Sequence, residues 1–249
     1  AFEPVITFSI NKSDAVTVVS ESLKADTYKH FAIENGIEVI HNFVEHSLYR
    51  HERDEEDKKR RAEIAPNGER IISHISNFRK VKRIPDVLRI FKLINQKIPS
   101  KLLLAGDGPE RFNIEEMCKE LGICQDVDFV GNIQGSAEVL CVSDLFLLPS
   151  ETESFGLAAL EALASGVPVV SSNTGGLPEV NEHGVSGFLS DVGKVEEMAD
   201  HAMEILKTDE NLNKFRKQAY DHSLNFSLDK ILPKYEEIYK RLVEKSKEA

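Results

Sequence analysis

Two rhythms of apolar and polar positions alternate along this chain. Short, largely apolar runs recur at 71–75, 102–105, 127–130, 145–148, 167–171 and 187–189, bounded by turn residues, and predict strands. Segments between them, at 85–96, 109–121, 137–141, 155–165 and 195–206, predict helices. In the first of these Val87, Ile90, Phe91 and Ile94 recur at i, i+3, i+4 and i+7 behind Pro85 and Asp86, which suit a helix start. Strands spaced by roughly twenty to thirty residues are what βαβ crossovers require. The expected fold is therefore α/β, a doubly wound parallel sheet of Rossmann type. Such sheets bind ligands at the carboxyl ends of their strands, which directs attention to the loops that follow strands.

Before this regular region, 14–20 reads as a β-rich run and 21–34 as a helix, the last pair of an α/β unit whose earlier members are absent. The chain opens with neither Met nor a basic-then-apolar leader, and we expect its start to be cut. Residues 51–68 mix charges of both signs and end in Pro66, Asn67 and Gly68, which predicts a solvated helix and a turn rather than a nucleic-acid patch.

Charge narrows the range of partners. Lys and Arg number 31 against 42 Asp and Glu, a formal net charge of −11, and 41% of residues are apolar. That composition supports a folded core and argues against a protein that coats nucleic acid, while leaving a small phosphorylated ligand open. No window approaches eighteen apolar residues, so no membrane span is expected. Cys118, Cys124 and Cys141 form neither a CxxC pair nor a metal-spaced cluster and read as reduced packing thiols of a cytoplasmic protein. The eight histidines are scattered, and no metal site is expected.

Four loops carry candidate chemistry. Residues 76–83 place Arg79, Lys80, Lys82 and Arg83 within five positions, where an anion can dock beside a helix start. Gly106-Asp107-Gly108-Pro109 permits a tight turn close to a flat ligand. Gly131-Asn-Ile133-Gln134 offers backbone groups to a base edge. The fourth loop, from Ser150, carries Glu153 and Ser154 at the expected start of the helix 155–165, with the backbone N–H groups of Phe155, Gly156 and Leu157 free to face a phosphate. Leu157, Leu160, Leu163 and Ala164 form the expected core stripe of that helix. Glu161, its one body charge, lies about 40° round from Leu157 at the edge of the stripe. A poorly solvated carboxylate needs a donor, and either ligand hydroxyls or an internal cation would serve.

Taken together, Glu153-x7-Glu161 within Glu-Ser-Phe-Gly-Leu-x-x-Leu-Glu-Ala, Gly106-Asp-Gly-Pro109 upstream and Thr174-Gly-Gly-Leu-Pro-Glu-Val180 downstream resemble the donor-binding half of retaining nucleotide-sugar glycosyltransferases of family 4. The likeness runs from about Ser13 to the C-terminus. The segments from His74 to Arg83 and from His41 to Glu45 look more narrowly like the branch that joins N-acetylglucosamine to L-malate in bacillithiol biosynthesis. The resemblance implies a GT-B protein whose two halves close over UDP-N-acetylglucosamine. Residues 1–40 would be the remnant of the acceptor half, 41–225 the donor half, and 226–249 a helix crossing back.

By the same resemblance, Glu153 binds sugar hydroxyls, Glu161 binds the ribose, and the diphosphate-holding Arg and Lys fall at Asn77 and Lys82. Asn77 departs from the family, and Arg79 or Lys80 would have to supply the missing charge. Gly106, Asp107 and Gly108 would line the nucleotide pocket and Ile133 would meet uracil. Lys82 would stabilise the leaving diphosphate during front-face transfer, with no obligatory metal and no cofactor. The rival readings are another transferase of the family with a different donor or acceptor, and a nucleotide-sugar binding module inactive in this form. A dinucleotide-binding dehydrogenase is disfavoured, because no Gly-x-Gly-x-x-Gly opens a helix after a strand. A homo-oligomer stays open.

Overall fold

The computed structural model describes residues 2–248, so Ala1 and Ala249, the outermost residues of the two expected flanking segments, lie outside it. A small unit comes first: α1 (Glu3–Asn11), β1 (Val16–Val18), α2 (Glu21–His30) and β2 (Ile37–Val39). Its two strands pair in parallel, with Val16 opposite Ile37. After α3 (Glu55–Ile64), strands and helices alternate as β3 (Arg70–Ile75), α4 (Ile84–Asn95), β4 (Ser100–Ala105), α5 (Arg111–Leu121), β5 (Val127–Gly131), α6 (Ala137–Leu140) and β6 (Leu145–Leu148). They continue as α7 (Leu157–Ala164), β7 (Val169–Ser172), α8 (Leu177–Val180), β8 (Gly187–Ser190), α9 (Val195–Leu206), α10 (Asp209–Ser223) and α11 (Leu228–Glu248).

The six strands from β3 onward form one sheet in the order β5-β4-β3-β6-β7-β8, every pair parallel. The chain winds outward from β3 in one direction and from β6 in the other. The switch point thus falls between β3 and β6, where Ile72 lies opposite Leu145.

Both faces are buried along the inner strands, which is why these read as largely apolar runs, whereas the edge strand β5 alternates buried and exposed residues. Along β6, Leu145 and Leu147 enter a core with Ile72, Leu102 and Leu104, Val87 and Ile90 of α4, and Met198 and Ile205 of α9. Phe146 and Leu148 enter the opposite core with Leu160 and Leu163 of α7. Leu147 is fully buried, so its truncation to Ala is expected to cost about 2–5 kcal/mol.

The sheet follows the sequence reading, with several corrections. The helix expected at 155–165 begins only at Leu157, and Leu157 is 44% exposed. The buried face of α7 is formed instead by Ala159, Leu160, Ala162, Leu163 and Ala164, whose small side chains let α10 pack closely. The helix expected from Pro109 starts at Arg111, and the one expected over 21–34 ends at His30. α1, β2, α8 and α10 were not anticipated. Cys124 is exposed and so is not a packing thiol, whereas Cys118 and Cys141 are buried. The charged segment 51–68 does contain a helix, α3, but it is not simply solvated: Asp57 is buried, and Arg53 and Arg61 bond the buried Asp144 at 2.9 and 2.6 Å. Among the described residues, no helix is long and apolar enough to cross a membrane.

Candidate functional site

Five loops meet above the switch point at the carboxyl ends of the strands. Main-chain bonds lock them together. Phe78 N–H donates to Asp107 O at 2.9 Å, and Glu110 N–H to Phe78 O at 2.9 Å, joining the loops after β3 and β4. Gly106 has φ 121°, and a Cβ there would lie 1.8 Å from Ser76 O, so only glycine fits. Glu151 N–H donates to Val81 O at 2.8 Å, and Gly176 N–H to Glu153 O at 2.9 Å, joining the loop after β6 to those after β3 and β7. Gly106 N–H donates to Gly131 O at 2.7 Å and brings in the loop after β5.

Of the four clustered cations, the fold sends only one to the centre of the crevice. Lys82 Nζ donates to Glu153 Oε1 at 2.6 Å, and Ser150 Oγ donates to the same oxygen at 2.8 Å. Arg83 turns away to the buried Asp86. Arg79, Lys80 and Asn77 are exposed, and neither cation forms an ion pair among the described residues. Lys82 and Glu153, 71 positions apart, thus face each other across the switch point from the loops that follow β3 and β6. Asp107 is exposed and its Oδ1 accepts from Gly108 N–H at 2.7 Å, which fixes the turn.

Beneath this pair lies a residue to which the sequence reading gave no role. His74 is fully buried in β3, with its Nδ1 2.8 Å from Leu147 O of β6 and its Nε2 2.7 Å from Ser76 Oγ. A carbonyl only accepts, so Nδ1 carries the proton and Nε2 accepts from the Ser76 hydroxyl. Burial, and then the nearby Lys82 charge, act against protonation and hold the ring's pKa at about 4 despite the Leu147 bond. The neutral ring bridges the two switch-point strands and supports the start of the loop that carries Lys82.

Glu153, Ser154 and Phe155 precede the helix instead of starting it, because Gly156 takes the cap position with φ 99°. The first intrahelical bond runs from Leu160 N–H to Gly156 O at 3.1 Å, which leaves the N–H groups of Leu157, Ala158 and Ala159 outside the helical ladder. These donors, with those of Phe155 and Gly156, form the positive end of α7 beside Lys82. One turn further on, Glu161 is half-buried, and among the described residues it forms no ion pair. The internal-cation alternative therefore fails. Its neighbour is Tyr49, whose phenol is pushed above its ordinary value by burial and then, against a bond from Ser136, by the Glu161 carboxylate. Tyr49 was missed in the sequence, where only its place just beyond the His41–Glu45 segment hinted at it. Ile133 is partly buried and packs against the cluster that holds Ile71 of β3 and Leu103 of β4. The loops that carry the expected residues are thus bonded to one another at one end of the sheet, Lys82 and Glu153 are in direct contact, and Asn77 and Arg79 are exposed.

The crevice offers one cation, one carboxylate and a helix N-terminus at its centre, with a second carboxylate, in no ion pair among the described residues, about one turn of helix further on. That set suits an elongated ligand with an anionic middle and hydroxyls at either end. The model of the group 1 glycosyl transferases matches residues 55–222, and the chain belongs to that family. Over 240 residues it is 42% identical to N-acetyl-alpha-D-glucosaminyl L-malate synthase of Bacillus anthracis, taking in 94% of this chain and 61% of that protein. It is also 32% identical over 185 residues to an uncharacterized glycosyltransferase of Methanocaldococcus jannaschii, 72% of this chain and 47% of that one. The chain therefore spans roughly half to three fifths of the length of these relatives. Among solved structures, Anabaena Alr3699/HepE in complex with UDP-glucose matches with a TM-score of 0.87 at 22% identity, over 96% of this chain and 67% of that one. That likeness is one of fold: a Rossmann-like half of a GT-B architecture.

Proposed function

We propose that this chain is the donor-binding part of a retaining glycosyltransferase that moves N-acetylglucosamine from UDP-N-acetylglucosamine to L-malate in the cytoplasm. The observation that carries the reading is the Lys82–Glu153 pair at 2.6 Å over the switch point, and the 42% identity to the malate synthase favours this donor and acceptor. In the whole protein, 41–225 form the donor half, while 1–40 and the helix within 226–249 belong with the acceptor half.

The two partners of the pair have separate tasks once the donor enters. The diphosphate takes Lys82 and the N–H groups at the start of α7, and Glu153, released from Lys82, accepts from the sugar hydroxyls. Glu161 accepts from the ribose hydroxyls. Gly106, Asp107 and Gly108 wall the nucleotide, and the backbone of Ile133 meets uracil. Arg79 at the rim stands in for the charge that Asn77 lacks. During transfer the bond from the anomeric carbon to the diphosphate oxygen breaks. The malate hydroxyl oxygen bonds to that carbon on the same face, and its proton passes to the departing diphosphate. Negative charge grows on the leaving group, so Lys82 acts more strongly in the transition state than in the ground state.

Calorimetric titration of the chain with UDP and UDP-N-acetylglucosamine, beside assays of the whole protein with 2-hydroxy acids, tests the reading. Binding of both ligands with malate-dependent UDP release is expected; a chain that binds neither ligand would refute it.

A further inference from the structure

The small unit is bonded to the large one at two points that the proposed function does not use, one on the site loop and one on α8. Ser20, fully buried at the start of α2, accepts from Leu23 N–H at 3.0 Å as the helix cap and donates its own proton to Ser154 O at 2.6 Å. Glu179 of α8 reaches the same helix end from the other side. Its two carboxylate oxygens accept from Glu21 N–H and Ser22 N–H at 3.0 Å each, and His41 Nε2 approaches one of them at 3.0 Å. His41 is packed between the rings of Phe155 and Phe226. The carbonyl of Glu153 is meanwhile held by Gly176 N–H at 2.9 Å. The carbonyls of Glu153 and Ser154, which share peptide planes with the N–H groups of Ser154 and Phe155, are therefore both tied, one from the loop after β7 and one from the small unit.

We infer that Ser20 and Glu179 are positioning residues: together they set the Ser154–Phe155 peptide from the small unit, so that the placement of that unit controls how the loop meets a diphosphate. This rests on the nucleotide-sugar reading of the site. A peptide plane turns as one body, so Ser20 acts on the Phe155 N–H through the Ser154 carbonyl. Glu179 keeps the end of α2, and with it Ser20, in register with the loop. Burial opposes ionisation of Glu179, but the bonds from Glu21, Ser22 and His41 outweigh it and hold the carboxyl below its ordinary range.

The test is calorimetry of the 249-residue chain with UDP, uridine titration followed by NMR, and amide exchange of the 150–157 loop. Ser20→Ala is expected to weaken UDP about three- to ten-fold, the loss of one hydrogen bond. It should speed exchange at Phe155 and leave uridine, held at the far end, unchanged. Ser20→Thr, which keeps both bonds, should bind UDP within about twofold of wild type. Glu179→Gln, expected to act in the same direction, carries the test if Ser20→Ala does not fold. Ala25→Gly weakens α2 at an exposed site away from the loop and should leave UDP affinity unaltered. If UDP affinity in Ser20→Ala and Glu179→Gln equals wild type, or falls as far in Ala25→Gly, the inference is overturned while the reading of the site stands. A wild-type chain that binds no UDP overturns the reading and the inference with it.

Discussion

The two ends of the central sheet each hold buried charge, and they use it differently. At the amino end, Asp144 has a side chain only 1% exposed and takes Arg53, Arg61 and Ile71 N–H, the last at 2.9 Å. Arg216 joins them by bonding Ser143 O and His51 O, and burial followed by repulsion from Arg53 pulls its pKa down to about 10. Burial also opposes ionisation of Asp144, yet Arg61 and Arg53 more than offset this and hold the carboxyl below its ordinary value. At the carboxyl end, Lys82 and Glu153 pair at 2.6 Å with side chains still 20% and 14% exposed. Similar distances thus conceal opposite roles. The first carboxylate is enclosed and multiply bonded, tying α3 and the segment before it to the sheet. The second keeps access to water and to a ligand, so its pairing can be exchanged.

The largest effect should come at the amino end. Asp144→Ala leaves buried guanidinium groups without their carboxylate, and we expect a loss of about 3–5 kcal/mol in denaturant unfolding with UDP affinity of the folded fraction intact. Lys82→Ala should do the reverse. In the whole protein it should lower kcat about a hundred-fold with a smaller rise in KM, while the chain's stability falls less than in Asp144→Ala, because Glu153 keeps the Ser150 hydroxyl and partial access to water. An unchanged kcat with a raised KM would remove Lys82 from the chemistry.

Glu161→Ala sharpens the contrast within the site. On the proposed function, losing its bonds to the ribose should weaken UDP by about ten- to hundred-fold, some 1.5–3 kcal/mol. Apo stability should not fall, since no cation is left behind, and the Tyr49 phenol should titrate closer to its ordinary value by ultraviolet absorbance.

The smallest effect concerns His74. Its folded pKa of about 4 lies below the ordinary 6.5, so between these values the unfolded chain binds more protons. Stability is therefore full above about pH 6.5 and is lost as pH falls towards 4. From pH 7 to pH 5 the expected loss is ~2 kcal/mol. Urea midpoints of wild type and His74→Gln at the two pH values measure it; an equal acid loss in both would assign the effect elsewhere.

Much of the sheet was legible because strands buried on both faces must be apolar throughout, as in Leu145–Leu148. The pairing of Lys82 with Glu153 left no trace in local spacing, since it depends on strand order. Gly156 hid the true start of α7: its left-handed cap conformation shifts the helix and turns Leu157 outward. β2 is only three residues long, and α10 buries a sparse stripe of Leu212, Phe215 and Ala219 in a polar background. Arg53 and Arg61 looked solvated because their partner, Asp144, lies more than eighty positions away.

The loop after β7 has a bearing on how such a site can change over generations. A Cβ on Gly175 would fall 2.0 Å from Glu153 O, and one on Gly176 2.5 Å from Ser154 O. The scaffold therefore grips the main chain of the site loop and leaves exposed side chains such as Glu151, Thr152 and Ser154 outside that grip. In a saturation library selected for folding, the two glycines should be intolerant although they carry no chemistry, whereas those exposed positions should accept many residues. Sugar preference can then drift by side-chain replacement while the backbone frame is inherited unchanged.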